Sequence, residues 1–472
     1  MSQIKHAASR DVRSRIAHPV IDTDAHTLEV TPVFLDYLKQ VGGAAMVERF
    51  KNNKLGHSPA WWTAPTRSTL DRATASLPRL LHKRLDDIGI DYAVLYPTLG
   101  NQVVQYQDDE LRRASCRAYN LYQADMFRGL GDRLTPAAVI PMHTPKEALE
   151  EMDFAVKSLG MKVGVFYRVI RPNARPHPQR PDLMLPANRF DCFGLDSDYD
   201  YDPVWAKSIE AQFPMTSHST SSGFGTRQSP TNFVYSKIGH FAAASEALCK
   251  SLLMGGVTRR FPQLKFAFME AGVSWGLDLY TEMVNVWRKR NPEAMRRELD
   301  PALIDRPQLF KLFEEYGHER VKANMEGVKA FFGQASPDHR SAGSQPPATL
   351  DDWAAAKIRR EEDLKNLFVD RFYFGAEGDN PMVATAFRNP MGIRFRPVLG
   401  SDIGHWDVSD MEEVLEESYE PVEEGHMTAQ EFKEFVFLNP VSLYTAICPD
   451  FFKGTKIEKE VFKAIKAGDV PK

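Results

Sequence analysis

Asp22-Thr23-Asp24-Ala25-His26 sets two carboxylates and an imidazole at every second position, directly after the apolar pair Val20-Ile21. Alternate side chains of an extended strand share a face. Asp22, Asp24 and His26 are therefore expected to point together, and a carboxylate beside an imidazole can chelate a divalent cation. The same residue types recur where other apolar runs stop. His218 ends Phe213-Pro-Met-Thr-Ser-His218, Glu270 follows Leu264-Lys-Phe-Ala-Phe-Met269, and Asp402 and His405 stand in Gly400-Ser-Asp-Ile-Gly-His405. Glu29 lies just beyond the first run. Singly, several have ordinary explanations: His218 as a satisfied core histidine, Asp402 as a turn residue bonded to backbone, His405 as a packing partner of Trp406. Glu270 is harder to explain so, because burying a carboxylate costs on the order of several kcal/mol unless it is paired or bound to metal. Arg168 and Arg171, just past the fourth run, suit a substrate carboxylate. Tyr96, His240 and Glu377 lie near other run ends, and Tyr96 and His240 are read as substrate-facing. His57, beside Trp61 and Trp62, is read as part of a pocket wall.

The elements that must position these groups alternate between strand and helix. Val20–His26, Tyr92–Tyr96, Leu134–Ile140, Met161–Tyr167, Phe213–His218, Leu264–Met269, Arg371–Phe374 and Arg396–Leu399 read as strands. Helical spacing fills the gaps, as in Leu149, Met152, Val156 and Leu159 after the capping-box pair Thr144/Glu147. A second capping box is expected at Ser409/Glu412. Eight strands separated by helices predict a distorted (β/α)8 barrel, whose functional groups gather where strands end. Residues 1–17 read as a tail and 18–472 as one barrel domain. The stretch Arg171–Pro186 reads as a proline-rich loop and 219–235 as an ordered Ser/Thr/Gly-rich loop. About 275–370 reads as a long helical insertion before the seventh strand, and the segment from Ala429, with Phe432, Phe435 and Phe437, as a closing helix.

The 472 residues carry 43% apolar and 11% aromatic side chains, ample for a large core, and a net charge of −4 without a basic patch. That balance argues against nucleic acid or an anionic membrane surface as partner. The polar start Met1-Ser-Gln-Ile-Lys-His6 lacks the apolar run of a signal peptide, and no segment has the length of apolar residues that a membrane span needs. Cys116, Cys192, Cys249 and Cys448 have no paired spacing, the pattern of reduced thiols. A cytoplasmic protein is expected.

With Val20-Ile-Asp-Thr-Asp-Ala-His26, Ser217-His218, Gly255-Gly-Val-Thr-Arg-Arg-Phe-Pro262, Glu270-Ala-Gly-Val-Ser-Trp275 and Gly400-Ser-Asp-Ile-Gly-His405, the chain resembles the amidohydrolase superfamily. The branch is the amidohydrolase-2 one, which contains aminocarboxymuconate semialdehyde decarboxylase and the resorcylate-type decarboxylases. Leu95-Tyr-Pro97 and Leu159-Gly-Met-Lys-Val-Gly164 match as well. The resemblance implies a barrel holding a divalent ion through Asp24, His26, His218 and Asp402, with Asp402 also moving protons, and it implies a dimer. The chain departs from the family pattern at Asp24, where histidine or glutamate is commoner, at Glu270, where many relatives have histidine, and at Gly404, where proline is usual.

Two chemistries fit these residues. One zinc or manganese ion would serve a decarboxylase or hydrolase acting on a small aromatic or unsaturated carboxylic acid. There Asp402, His218 and Glu270 would do the catalytic work, and His405 would orient them. Alternatively Asp24, Glu29, Glu270 and Asp402 with His26, His218 and His405, extended by His240, form an oxygen-rich set that suits two iron ions, and hence a monooxygenase of a bulky apolar acid or thioester. A third class is a barrel kept only as a binding scaffold.

Overall fold

All eight apolar runs become strands in the computed structural model, which describes residues 9–53, 63–98, 100–170, 175–177, 180–185, 190–219, 225–333 and 350–471. They are β1 (Ile21–Thr27), β2 (Tyr92–Pro97), β3 (Leu134–Pro136 with Ala138–Val139), β4 (Gly164–Tyr167), β5 (Met215–His218), β6 (Phe266–Phe268), β7 (Phe372–Ala376) and β8 (Arg396–Leu399). Every pairing among them is parallel, in the order β1-β2-β3-β4-β5-β6-β7-β8. β3 belongs to two ladders. Its first part pairs with β2 and its second with β4, and Ala137 N–H between them donates to Leu95 O at 2.8 Å. Pro136 has no N–H to give, so the ladder changes partner there.

The ring is completed by side-chain and loop bonds between β1 and the end of β8. Thr23 Oγ1 donates to Leu399 O at 2.7 Å, Asp402 N–H to Asp24 O at 2.9 Å, and His26 N–H to Ile403 O at 2.8 Å. The architecture is the distorted (β/α)8 barrel that the alternation predicts. Helices such as Asp109–Met126, Pro145–Lys157, Asp202–Glu210 and His240–Met254 lie between the strands. The Thr144 capping box forms: Thr144 Oγ1 accepts from Glu147 N–H at 3.2 Å, and Glu147 Oε1 accepts from Thr144 N–H at 2.8 Å.

Two local expectations are corrected. Within the supposed proline-rich loop, Arg175–His177 and Arg180–Leu185 pair as an antiparallel hairpin. A two-stranded hairpin has an open edge on each strand, where proline is tolerated. The capping box at Ser409/Glu412 does not form, because Asp410 Oδ1 takes the Glu412 N–H at 2.9 Å and the helix starts only at Val414. Short-range capture by an aspartate competes with helix initiation in this way.

The closing segment runs as Ala429–Lys433, a π-helical turn Glu434–Leu438 and Asn439–Thr445. Phe432, Phe435 and Phe437 are buried, and Asn439 Nδ2 fastens the segment to β8 through Pro397 O at 2.8 Å. The chain divides into two compact units, 1–279 with 366–472, and 280–365. The second unit is helical, with Arg288 paired to Glu361 at 2.6 Å and Trp353 Nε1 donating to Arg290 O at 3.1 Å. Among the described residues no helix is long and apolar enough to cross a membrane.

Candidate metal centre

The parallel ring carries the ends of β1, β5, β6 and β8 toward one another, and the predicted ionisable groups meet there. His26 Nε2 lies 3.4 Å from Asp24 Oδ1 and 3.4 Å from Asp402 Oδ1. His218 Nε2 lies 3.6 Å from Asp24 Oδ1 and 3.4 Å from Glu270 Oε2. Asp402 Oδ1 is also 2.6 Å from His405 Nδ1, and the His26 and His405 rings stack with centroids 3.8 Å apart. Two overlapping sets of donors result, Asp24/His26/His218 and His26/Glu270/Asp402/His405, each with its donor atoms within 4.8 Å of one another.

All but the half-buried His405 are buried, and Asp24 Oδ1, both ring nitrogens of His26 and His218 Nε2 have no hydrogen-bond partner. Buried polar atoms are rarely left so. His218 Nδ1 sits 2.6 Å from Ser219 O and 2.9 Å from Ser219 N. A ring nitrogen donates to the first or accepts from the second. Asn101 Nδ2 is also 3.4 Å from Nδ1; with the proton of the neutral ring donated to Ser219 O, the Nε2 lone pair would face the carboxylates, as a metal ligand requires.

The electrostatics agree. Burial, then the charges of Glu270 and Asp22, hold the Asp24 carboxyl well above its ordinary range. Burial, then Glu270, Asp407 and Glu377, does the same for Asp402. Burial, then the neighbouring imidazoles, keeps His26 far below its usual value, and burial, then Arg168, does so for His218. Burial lowers His405 to about 4. Neutral imidazoles and mutually repelling carboxylates are a donor set that a divalent cation stabilises.

Other predicted residues fall elsewhere. Asp22 is occupied: Oδ1 accepts from Ser401 N–H at 3.0 Å and Asp24 N–H at 3.1 Å, and Oδ2 accepts from the Ser401 hydroxyl. Glu29 belongs to neither donor set. Leu28 N–H donates to Ala75 O at 2.7 Å, and the Glu29 charge acts on Tyr119 and Tyr122, whose phenols are raised first by burial.

Arg168 is corrected as a substrate clamp. It is fully buried, and Nη2 donates to Ser217 O at 3.2 Å and to Met269 O, so the guanidinium ties together the ends of β5 and β6. Tyr96 has its hydroxyl 2.8 Å from Thr216 Oγ1 and its ring packed near His26 and His218. His240 opens the helix His240–Met254, buried, its ring 5.2 Å from that of Phe241 and outside both donor sets. Arg171, His57, Trp61 and Trp62 lie outside the described residues.

Two members were not foreseen. Lys237 forms an ion pair with Glu270 Oε1 and lies 3.4 Å from Asp407 Oδ2. Asp407 follows His405 by two positions and could have been taken as an extension of that motif; nothing in the spacing around Lys237 marks it. Lys237, Glu270 and Glu377 line a cavity of about 380 Å³ with Phe241, Asp379 and Asn380. Burial, then Glu270, raises Glu377 to about 8.

An α/β barrel with carboxylates and imidazoles gathered at its strand ends defines a metal-binding barrel class. A family model described as amidohydrolase (Amidohydro_2) matches residues 21–321, and the chain belongs to that family, which indicates a metal-dependent enzyme of the amidohydrolase superfamily. The fold is similar to that of an amidohydrolase from Mycobacterium avium subsp. paratuberculosis K-10, at 17% identity and a TM-score of 0.51, over 91% of this chain and 100% of that one. Also similar are 5-carboxyvanillate decarboxylase from Novosphingobium aromaticivorans DSM 12444, solved with manganese (16%, TM-score 0.48, 91% and 96% covered), and 2,6-dihydroxybenzoate decarboxylase from Rhizobium (15%, 0.47, 91% and 99%).

Proposed function

We propose that this chain decarboxylates or hydrolyses a small organic carboxylic acid, aromatic or unsaturated, with a divalent ion held by Asp24, His26, His218 and Asp402. The observation that carries the reading is the set of buried, unpartnered donor atoms of Asp24, His26 and His218 converging at the strand ends. An ion bound there would polarise substrate oxygens or bring the pKa of a bound water down to about 7.

The chain's own residues supply the rest. His26 and His218 are neutral imidazoles, each with one N–H and one nitrogen lone pair to offer the ion. Asp402, with Oδ1 in contact with His405 Nδ1, is the proton-moving group. In decarboxylation it delivers a proton to the carbon whose bond to the departing carboxylate breaks as CO2 leaves. In hydrolysis it takes the proton from the attacking water. His405, whose Nε2 is 3.2 Å from Thr98 Oγ1, fixes the Asp402 carboxyl.

A second reading has one specific observation in its favour. The set His26/Glu270/Asp402/His405 overlaps the first at His26, so two iron ions side by side would make the protein a monooxygenase of a bulky apolar acid or thioester. Elemental analysis of protein purified without added metal tests both. About one zinc or manganese per chain, with release of CO2 or hydrolysis of a carboxylic acid that stops on chelation, is the expected result. Undiminished turnover by metal-stripped protein would sink the proposal, and about two irons per chain with oxygen uptake on reduction would move it to the oxygenase.

A further inference from the structure

Glu270 has two oxygens with different partners. Oε2 faces His218 Nε2 at 3.4 Å, inside the donor set, while Oε1 is paired with Lys237 Nζ. The same ammonium is 3.4 Å from Asp407 Oδ2 and 4.7 Å from the centre of the Phe241 ring. Lys237 thus bridges two carboxylates at the rim of the site, with its charge further supported by an aromatic face. It ends the helix Phe233–Lys237, and Asn232 Oδ1 accepts from Tyr235 N–H at 2.9 Å to start that helix, which fixes the lysine's approach.

We infer that Lys237 is a built-in counter-ion that limits this centre to one divalent ion, by pairing with Glu270, a member of the second donor set, and with Asp407 beside it. The inference rests on the metal-dependent reading above. Arg168 is a second fixed cation that acts on Glu270 and Asp24, so a further ion beside Glu270 would approach two positive charges, and like charges at close range repel. Lys237 is a positioning residue here: it holds Glu270 and touches no reacting atom.

Manganese stoichiometry reads the effect directly. The full chain is dialysed against manganese to saturation and bound metal per chain is measured for the wild type, Lys237→Met and Lys237→Arg. Expected are one equivalent in the wild type, one in the arginine variant and two in the methionine variant. Two equivalents in the wild type would overturn the inference while leaving the metal reading intact. A methionine variant that is folded by circular dichroism and still binds one would overturn it equally. No manganese in any of the three would bring down the metal reading and this inference together. The wild-type measurement decides even if the methionine variant does not fold.

Discussion

Glu270 and Asp402 both sit in the left-handed backbone region, at φ 53° and 55°. Such a conformation costs a residue with a Cβ roughly 1–2 kcal/mol, and strain of this kind gathers at functional sites. In each case the residue follows the end of a strand, β6 or β8, so the unusual φ turns a carboxylate in where the regular strand stops. Asparagine tolerates this region, so Asp402→Asn tests charge and proton capacity with the backbone kept, bound metal being measured alongside. A fall in kcat of about 10²- to 10⁴-fold is expected in steady-state assays, with an unchanged circular dichroism spectrum. An asparagine variant as fast as the wild type would remove Asp402 from proton transfer.

The segment after β8 brings Asp402 and His405 onto β1, and its geometry explains one departure from the family pattern. Gly404 has φ +102°, which proline, locked near −65°, cannot adopt, and a Cβ there would stand 2.7 Å from His26 O. Gly400 is as close to its neighbour, since a Cβ would meet Asp24 Cβ at 2.7 Å. The two glycines let the segment lie directly against the strand that carries Asp24 and His26. Gly404→Ala is expected to push the segment off β1 and weaken manganese binding by about tenfold or more, a change of about 1.4 kcal/mol, read by titration with the free ion. Unaltered affinity would mean that the segment accommodates a Cβ without moving its donors.

For the molecule as a whole, stability toward acid is set in part by groups held neutral in the interior. His143, in the loop between β3 and the capped helix Pro145–Lys157, is lowered from 6.5 to about 3 by burial, and then by Arg112. The unfolded chain takes up this proton from about pH 6.5 downward and the folded chain does not, so stability falls as pH drops through that window and levels off near 3. The slope from one such group is about 1.4 kcal/mol per pH unit at most. His143→Gln should flatten the decline of Tm between pH 6.5 and 4 in thermal melts. An identical slope in the variant would show that other groups dominate.

Strand count, strand ends and most of the donor types were legible in the chain itself. Apolar runs alternating with helical spacing are local patterns, and a parallel ring gathers whatever ends those runs. Asp24, His26, His218, Glu270, Asp402 and His405 could therefore be named from position alone. The tertiary structure alone decided which neighbours each would meet. It left Glu29 outside both donor sets and gave Asp22 to Ser401. It buried Arg168 on the carbonyls of Ser217 and Met269, and brought Lys237 onto Glu270. Contacts between side chains on different strands and loops depend on register, on left-handed turns and on close backbone approach, and no periodicity within a single segment records them.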